Sequence, residues 1–579
     1  MQANKRNLSE ILSQHIRLVA PLFQRPYVWN KDQNWEQLWF TLLEVADRRL
    51  SGKPPRPYFM GALVLDQVPT AIGSVPTRVI IDGQQRMTTL QVLMRAASDV
   101  FNSCGYEYEA TIIQKFIFNT LREESDDQFK VWPTNIDRSD FRTTMKGIPS
   151  QGLIGQAYCY FQNEISEWLA EDPHQSATRA SALLELLQND LVFVAIDLDN
   201  DDDGQLIFET LNALGTPLLP SDLVKNLLFR QAIAEGLDTE LLYATYWAQF
   251  EEKSNYWREV IGVGRRKRPR LDLYLQHFLA YTLGKEPLLP HQFRDFRNAL
   301  RDGELGNTEE ALAHFSGLAK LYRDFDLAPS NSPAGSLRLV LDVLDSSVIQ
   351  PLVLGIVANA DSAQIDAMMQ TLESYLMRRT LCSLTTKNLN QLSADAVNHL
   401  REHGWTNEIL RNYLLTASGP SRTWPTDEDI IEFLTSRAAY FTIPSRRLAY
   451  TLSRIEASLR TGKSELPWNT NAELVKGLSI EHLIPQKWEK NWPLPAGLTW
   501  ETERRRREMV NRLGNLTILT QKLNSSISHA AWDRKRTSLK NHTVLLMNTY
   551  LAEQEYWNEE LVESRTAHLA QLICTIWPR

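Results

Sequence analysis

The chain has 579 residues, of which 43% are hydrophobic and 23% charged, and its formal net charge is −8. This length exceeds what one hydrophobic core can organise, so we expect roughly three or four units of a globular protein. The sequence lacks the run of about 18 to 20 apolar residues that a membrane helix needs, and its first residues lack the apolar core of a signal peptide. We therefore expect a cytoplasmic protein without a membrane partner.

The cysteines restrict the kind of metal site. The chain has four of them, far apart and without a CxxC pair, which argues against a disulfide framework and against a thiolate zinc site. Any metal ion is therefore expected to be held by oxygen and nitrogen atoms.

Basic residues are clustered even though the total charge is negative. The clusters lie at 264–270, 503–512 and 533–536. Because salt screens each charge over about 8 Å, a local cluster can bind phosphate in an acidic protein. The alternative interpretation is that each cluster is the solvated face of a helix.

Residues 1–235 combine strand patterns with helical ones. The runs YFMGALVLD, TRVIIDG and LVFVAIDLD predict strands, and MTTLQVLMRAASDVF predicts a helix. The apolar positions of that helix predict a buried stripe of Leu90, Leu93, Met94 and Ala97. This region is predicted to be an α/β or α+β unit.

A polar turn, DGQQR, separates the second of these strands from the helix. It contains Asp82, Gly83, Gln84, Gln85 and Arg86. A helix N-terminus attracts anions, an arginine can bind phosphate oxygens in a bidentate manner, and an aspartate can hold a metal or orient water. No GxxxxGK[ST] motif occurs, so this is not a P-loop. The alternative is a polar turn with a simple Arg–Asp pair.

Two further segments of this region carry polar and aromatic side chains suited to a nucleotide. Residues 21–30 include a possible charge clamp and base-stacking surface, formed by Gln24, Arg25, Tyr27 and Trp29. Residues 207–229 surround a Gly-Pro turn and a capped helix with Glu209, Asn212, Lys225 and Asn226.

The middle of the chain has a different pattern. From about 236 to 425 nearly every segment has apolar residues at helical spacing, which predicts a helical region. Residues 418–429 are typical of a linker, and the helix LAYTLSRIEASLR then leads into short strands and loops.

The most informative C-terminal stretch is LSIEHLIPQKWEKNW. It places Glu481 and His482 at the end of a short apolar run, and Asn515 and Asn524 follow in RLGNLTILTQKLNSS. The imidazole can take a proton from an attacking water, and the carboxylate can help to hold a divalent ion on a phosphate. In a strand-hairpin-helix element, Glu481 and Asn524 would be oxygen ligands to Mg²⁺, and Asn515 would hydrogen-bond the loop that presents His482. The alternative is a satisfied histidine and two turn-forming asparagines.

The motifs IEHLIPQ, LGNLTIL, KLN and WDRKR resemble the C-terminal HNH (His-Me finger, ββα-metal) nuclease domain of GmrSD-type, modification-dependent type IV restriction enzymes. The resemblance implies that His482 is the general base and Asn515 orients it, with Glu481 and Asn524 as metal ligands. Where the pattern tends to have another asparagine, this chain has His529, whose role stays open.

The three N-terminal segments resemble the ParB/sulfiredoxin-like domain of the same enzymes, which binds and hydrolyses nucleoside triphosphates. The resemblance implies catalytic roles for Asp82 and Arg86, and a nucleotide site formed by Gln24, Arg25, Tyr27, Asp82, Gly83, Gln84, Gln85, Arg86, Asn212 and Lys225. The two motif sets occur in the expected order in one chain, as in fused, single-polypeptide members.

The resemblance also predicts the organisation of the whole chain. A multidomain, predominantly helical α+β protein is expected, with an NTP-binding domain at 1–235, a helical linking region at 236–425 and the nuclease domain at 426–579. The expected function is antiviral defence by an NTP-regulated, divalent-metal-dependent endonuclease that cleaves phage DNA with modified bases, such as hydroxymethylated or glucosylated cytosine. The expected cofactors are Mg²⁺ or Mn²⁺ and GTP, ATP or UTP. Double-stranded DNA is the expected partner, and a homodimer is possible.

Two other functions remain open at this point. One is a nucleotide-dependent DNA-binding regulator that does not cleave, and the other is a toxin-like nuclease that acts on RNA or host DNA. Recognition of a modified base would need a pocket for an extruded or edge-read base, and the sequence does not locate one.

Overall fold

The computed structural model describes residues 2–21, 24–54, 56–67, 75–119, 125–198, 219–251, 256–262, 267–288, 291–460, 477–494 and 500–579. Two compact units form, Met1–Thr245 and Tyr246–Arg579. The second unit contains both the helical region and the C-terminal motifs. The finer division into three domains stays a prediction.

The first unit is built on a mixed six-stranded sheet with the order β1-β6-β3-β4-β2-β5. The pairs β1–β6 and β3–β4 are antiparallel. The pairs β3–β6, β2–β4 and β2–β5 are parallel. The three strands predicted from the sequence are confirmed as β3, β4 and β6. The strands are β1 (Gln2–Asn7), β2 (Arg17–Val19), β3 (Tyr58–Gln67), β4 (Thr77–Asp82), β5 (Val131–Trp132) and β6 (Leu191–Leu198).

Helices cover both faces of this sheet. On one face they form a large apolar core, into which α3 inserts the predicted stripe of Leu90, Leu93, Met94 and Ala97, each at most 1% exposed. On the other face Leu223 packs against a smaller cluster from β3, β4 and β6. The helices of the unit are α1 (Leu8–Leu12), α2 (Glu36–Leu50), α3 (Gln84–Ser103), α4 (Glu107–Ile117), α5 (Arg138–Met145), α6 (Leu153–Ala170), α7 (Ser176–Glu185), α8 (Pro220–Ala234) and α9 (Thr239–Leu242).

The second unit is largely helical up to residue 460, as the apolar spacing predicted. A short antiparallel pair, β7 (Val260–Ile261) and β8 (Arg268–Pro269), precedes the helices. These are α10 (Arg270–Leu283), α11 (Gln292–Arg301), α12 (Thr308–Asp326), α13 (Pro333–Leu344), α14 (Gln350–Asn359), α15 (Ser362–Leu381), α16 (Leu389–His403), α17 (Asn407–Thr416), α18 (Asp427–Ser436), α19 (Ala439–Thr442) and α20 (Ser445–Arg460). None of the helices in the described ranges is long and apolar enough to cross a membrane.

The C-terminal motifs lie on an antiparallel pair of strands followed by helices. β9 (Leu478–His482) pairs with β10 (Leu516–Thr520), and His482 lies opposite Leu516. The remaining helices are α21 (Trp500–Val510), α22 (Gln521–Ile527), α23 (Trp532–His542), α24 (Leu546–Glu553) and α25 (Glu559–Ile576). They cover the strand pair with an apolar core that includes Leu483, Ile484 and Trp532.

The helix α25 fixes the turn that enters β10. The buried Arg565 donates from Nη1 to the carbonyl oxygens of Gly514, at 2.7 Å, and Leu516, at 2.8 Å. Gly514 approaches α25 so closely that a Cβ there would lie 2.1 Å from the Val562 carbonyl oxygen. This close approach explains the need for glycine in the LGN motif.

The C-terminal segment also ties the helical region to the C-terminal part of the unit. Arg378 of α15 is fully buried and donates to the carbonyl oxygens of Trp577, at 2.5 Å, and Pro425, at 3.0 Å. Trp577 in turn donates from its indole to Glu373, at 2.9 Å. These bonds explain why residues 246–579 behave as one unit.

Candidate functional site

The last two residues of β9 point to opposite sides of the strand. Successive strand residues alternate in direction, and here the Glu481 side chain contacts Lys535 of α23, whereas His482 contacts Asn511 and Tyr440. Both are well buried, with Glu481 6% and His482 8% exposed. The motif therefore presents two separate chemical environments.

A buried ion pair closes the Glu481 side. Lys535 contacts Oε1 of Glu481 and also donates to the backbone carbonyl of His482, at 2.5 Å. The lysine side chain is 0% exposed and the glutamate 7%. Burial raises the pKa of Glu481 and lowers that of Lys535, and their mutual attraction opposes both shifts. Lys535 therefore fixes both the carboxylate and the backbone at the end of β9.

The His482 side holds a neutral imidazole. Its Nε2 lies 3.3 Å from Oδ1 of Asn511 and 3.5 Å from Nε2 of Gln486, and its ring centroid lies 4.5 Å from that of Tyr440. Burial lowers the pKa of His482 to about 4, and the positive charge of Lys535 adds to this, although Asn511 opposes it. At neutral pH His482 is thus in the form that accepts a proton.

The contacts of Asn511 indicate which nitrogen of His482 does so. Asn511 donates from Nδ2 to the carbonyl of Arg507, at 3.1 Å, so that its Oδ1 faces the histidine. This oxygen acceptor, at 3.3 Å, is closer to Nε2 than the amide nitrogen of Gln486, at 3.5 Å, and it favours the tautomer with the proton on Nε2. No described residue hydrogen-bonds Nδ1 of His482, and this nitrogen is the one left to act as a base.

Asn515 holds the loop that follows His482. It is 0% exposed, and its Oδ1 accepts from the backbone nitrogen of Ile484, at 2.9 Å, and from the indole of Trp557, at 3.2 Å. Its Nδ2 donates to the carbonyls of Ile484 and Val510, at 2.9 and 2.8 Å. The hydrogen bond to this loop was expected from the sequence. Because the amide is fully engaged, Asn515 is suited to positioning and not to binding substrate.

Asn524 lies on the same side of the strand as Glu481. From α22 it donates through Nδ2 to Oγ of Ser479, at 2.8 Å, and to the carbonyl of Ile480, at 3.1 Å. Ser479 and Glu481 are alternate residues of β9 and share a face. The amide oxygen of Asn524 makes no hydrogen bond with the described residues.

The side-chain oxygens of Glu481 and Asn524 are possible ligands for a divalent cation. One carboxylate and one amide oxygen on the same side of β9 are the atoms that Mg²⁺ or Mn²⁺ prefers, and such ions commonly keep several waters. Within the described ranges no group of three or more His, Cys, Asp or Glu side chains could hold a metal. Because Lys535 already contacts Oε1 of Glu481, an ion would be held through Oε2 and the amide oxygen of Asn524, with few protein ligands. The ligand roles of Glu481 and Asn524 remain predictions.

The site contains residues that the sequence reasoning missed. Lys535 and Asn511 both lay in segments interpreted as basic clusters, and Tyr440 lay in no motif. A signal did exist for Lys535, because it falls between Trp532 and Leu539 on the apolar stripe of α23. A lysine on such a stripe needs a buried partner.

The largest basic cluster proves to be ion-paired. On α21 four consecutive arginines lie within salt-bridge distance of glutamates: Arg504 with Glu508, Arg505 with Glu563, Arg506 with Glu559 and Arg507 with Glu503. The interpretation as a helix face holds for this cluster. The cluster at 264–270 lies partly outside the described residues.

The N-terminal turn is held by its own side chains. Asp82 ends β4 and receives Nη2 of Arg86 at 3.0 Å, while Nη1 of Arg86 donates to the carbonyl of Met60, at 2.8 Å. Gly83 has φ +101°, a left-handed conformation that side chains rarely adopt, and it precedes α3. The Arg–Asp pair of the alternative interpretation is thus present at the start of this helix.

The two glutamines of the turn bind the protein's own backbone. Gln84 donates to the carbonyl of Arg25, at 2.8 Å, and Gln85 donates to that of Pro26, at 3.0 Å, and accepts from the nitrogen of Val28, at 2.9 Å. Gln24 reciprocates by donating to the carbonyl of Ile80, at 2.7 Å. The structure therefore brings residues 24–28 and 82–86 together, mainly through hydrogen bonds between glutamine side chains and backbone atoms.

Of three other predicted nucleotide-binding residues, two are buried and one lies outside the described residues. Tyr27 is 5% exposed and its hydroxyl contacts Thr89, at 2.7 Å, so it packs in the core and does not offer the stacking surface expected from the sequence. Lys225 is 1% exposed, with its ammonium 5.2 Å from the ring centroid of Tyr243. Asn212 lies outside the described residues, as does Glu209.

A neutral buried histidine that follows a carboxylate residue in the chain, at the end of a two-stranded pair that a helix follows, is suited to metal-assisted phosphodiester hydrolysis. Comparison with protein families agrees with this class. The model described as the GmrSD restriction endonuclease N-terminal domain matches residues 8–229, and that of the GmrSD restriction endonucleases C-terminal domain matches 424–572. The chain belongs to the GmrSD restriction endonuclease family and carries both domains in one polypeptide.

Each matched region contains one of the sites described above. The polar turn at 82–86 lies in the first region, and Glu481, His482 and Lys535 lie in the second. Membership of a restriction endonuclease family implies a nuclease with a DNA substrate. No curated protein matches the chain.

Proposed function

We propose that this protein is an NTP-regulated, divalent-metal-dependent endonuclease that cleaves phage DNA carrying modified cytosine. The C-terminal site would be of the HNH type and the N-terminal domain of the ParB/sulfiredoxin-like type. The observation that carries the proposal is the buried, neutral His482, whose Nε2 faces Asn511 and whose Nδ1 is left to act as a base. Both family regions in one chain support it.

In this proposal each residue around His482 has its own role in hydrolysis. His482 accepts a proton at Nδ1 from the attacking water, and Asn511 keeps the second proton on Nε2. Asn515 holds the loop after His482, and Lys535 holds its backbone carbonyl. Such preorganisation places the base before substrate arrives.

Glu481 and Asn524 would hold Mg²⁺ or Mn²⁺ through their side-chain oxygens. When bound, such an ion neutralises charge on the phosphate and on the leaving oxygen. Lys535 balances the buried charge of Glu481. The Tyr440 ring packs edge-on against His482, with 4.5 Å between the ring centroids.

The N-terminal turn is proposed to bind and hydrolyse GTP, ATP or UTP. The N-terminus of α3 favours phosphate, and Arg86 can exchange the Asp82 carboxylate for phosphate oxygens. The Arg25 side chain makes no hydrogen bond or ion pair with the described residues, and it is a second candidate cation for the phosphates. Asp82, once released, can orient water or a metal.

The proposal is tested with purified protein on modified and unmodified plasmid DNA, with and without NTP and Mg²⁺. We expect cleavage of modified DNA that needs the metal and responds to NTP. The His482→Ala variant should lose about 10²- to 10⁴-fold of this activity and keep NTP hydrolysis, because a general base contributes on that order. The control is His542→Ala, an exposed histidine at the end of α23.

The other two functions give different results in the same experiment. A regulator would bind DNA in response to NTP without cutting it, and a toxin-like nuclease would cut RNA or unmodified DNA equally well. Cleavage at the wild-type rate by His482→Ala would exclude this site.

A further inference from the structure

A cavity with a mixed polar and apolar lining lies in the second unit, outside the sites described above. It has a volume of about 230 Å³ and lies among α13, α15, α16, α19 and α20. Arg379 and Arg447 line it together with hydroxyl side chains that include Ser346 and Thr386. Of the described residues, no aspartate or glutamate contributes to the lining. The cavity is therefore chemically suited to an anion.

Arg379 is a buried positive charge that lacks a carboxylate partner among the described residues. It is 3% exposed, and burial lowers its pKa. Its guanidinium donates to the carbonyls of Thr423 and Thr385, both at 2.6 Å, and of Pro420, at 3.4 Å. These neutral acceptors satisfy the hydrogen bonds but do not balance the charge, which is costly in a protein interior. An anion in the cavity would balance it.

Arg447 supplies the second charge. It lies in the first turn of α20, is half-buried, and donates only to the carbonyl of Leu344, at 3.3 Å, within the part of the chain that the structure describes. Its neighbour Arg446 is different, because it points to Asp342, at 2.7 Å, and does not line the cavity. Adjacent residues of one helix thus offer a paired and an unpaired arginine.

Two helices add to the positive potential. Thr386 and Leu389 line the cavity at the start of α16, and Pro444 and Arg447 line it at the start of α20. Each helix N-terminus carries about half a positive charge in its unpaired N–H groups. Together with the two arginines, these ends select for a compact, highly charged group such as phosphate.

The position of the cavity suggests where such a phosphate comes from. Thr442 lines it from α19, and Tyr440, two residues earlier on the same short helix, packs on His482 at 4.5 Å. Residues two apart on a helix point in nearly opposite directions, so the cavity and His482 lie on different sides of α19. A strand that presents one phosphate to His482 would therefore reach the cavity with a phosphate one or more nucleotides away. We propose that the cavity binds a phosphate group of the DNA strand that is being cut. This inference rests on the proposed function.

Binding of a short duplex by the full-length chain tests the proposal. The His482→Ala background prevents cutting, and affinity is measured by fluorescence anisotropy over a series of salt concentrations. Arg447→Gln should weaken binding several-fold and lower the slope of log Kd against log salt by about one, as expected for one lost phosphate contact. Arg447→Lys should restore the slope, and the matched control Arg446→Gln should leave it unchanged.

The other outcomes overturn the proposal in distinguishable ways. If the wild-type protein cleaves DNA but Arg447→Gln binds it with unchanged affinity and slope, the cavity does not bind the strand and the proposed function survives. If Arg447→Gln loses binding of ATP or GTP while keeping that of the duplex, the phosphate belongs to a free nucleotide. A wild-type protein that neither binds nor cuts DNA overturns both proposals.

Discussion

The two candidate sites use a similar acid–base pair in opposite surroundings. At the N-terminal turn Asp82 ends a strand and pairs with Arg86 on the next helix, and at the C-terminal site Glu481 lies near a strand end and pairs with Lys535. The side chains of the first pair are 27% and 20% exposed, and those of the second 7% and 0%. A half-buried pair can exchange a partner for a ligand more readily than a fully buried pair, which fixes geometry.

The neighbouring groups follow the same contrast. Around Asp82 and Arg86 the glutamines bind a backbone segment, and the charged side chains stay partly exposed. Around His482 the amide of Asn515 is fully bonded and the lysine reaches the strand itself. We interpret the first site as a place for exchangeable ligands and the second as a fixed catalytic frame.

The largest difference is expected in stability. Lys535→Met leaves the buried Glu481 charge without a partner and should lower the free energy of unfolding by about 3–5 kcal/mol. Arg86→Met removes a half-buried pair and the bond to the Met60 carbonyl, and it should cost less, about 1–2 kcal/mol. Urea unfolding of the full chain measures both. Adding Glu481→Gln to Lys535→Met should recover part of the loss, and equal costs for the two single variants would remove the contrast.

Metal dependence separates the residues within the buried site. Glu481→Ala and Asn524→Ala should each lower cleavage on the order of 10²-fold through weaker metal binding. Raising Mn²⁺ or Mg²⁺ should then restore part of the rate. His482→Ala should not respond to added metal, because it lacks the base. The same response in all three variants would contradict this division of roles.

Burial of His482 also predicts a pH dependence of stability. The pKa is 6.5 in the unfolded chain and about 4 in the folded protein, so the unfolded state binds the proton more readily between these values. Stability is therefore fully present above pH 6.5 and is lost as the pH falls toward 4, by about 2 kcal/mol at pH 5.

This pH effect is measured by urea unfolding at pH 7 and pH 5. His482→Ala should lose less stability between the two pH values than the wild type does, whatever its stability at pH 7. His542→Ala, at an exposed position, should behave as the wild type. An unchanged pH dependence in His482→Ala would mean that the histidine is not buried in solution.

The smallest expected effect is coupling between the two sites. Asp82→Ala or Arg86→Ala should lower NTP hydrolysis and also depress or deregulate DNA cleavage, because nucleotide-driven contacts can shift a protein between two arrangements. A differential affinity of about tenfold is worth about 1.4 kcal/mol and suffices. The matched control is Arg95→Ala, which breaks the Arg95–Asp99 pair further along α3. Full loss of NTP hydrolysis with unchanged, nucleotide-dependent cleavage would contradict the coupling.

Much of the local architecture could be predicted from the sequence. The alternating or continuous apolar runs gave β3, β4 and β6 correctly, and the helical spacing gave the buried stripe of α3. The position of His482 at the end of a strand and the bond from Asn515 to the following loop were also anticipated. The strands, the helix stripe and the strand-end position of His482 depend on neighbours within a few residues, which is the range over which periodicity carries information. The bond between Asn515 and Ile484 spans 31 positions and was anticipated from the motif pattern.

The surroundings of each site depended on contacts between residues far apart in the chain. Lys535 meets Glu481 across 54 positions, and the backbone of segment 24–28 meets Gln84 and Gln85 across nearly 60. Tyr27 is of a type that can stack on a base. In the structure it is buried in the core instead, where its hydroxyl hydrogen-bonds Thr89. Burial of a charge or an aromatic ring is a property of the packed chain and not of its local pattern.

The sequence by itself determined the family motifs and the strands and helices that carry them, and it singled out His482 as the proposed proton acceptor. Only the tertiary structure decided that the Glu481 charge is balanced by Lys535, that His482 is neutral, and that Arg379 and Arg447 meet in one cavity. The physical reason is that the charge state of an ionisable group depends on its distance from other charges and on its exposure to solvent. Both follow from which distant segments pack together.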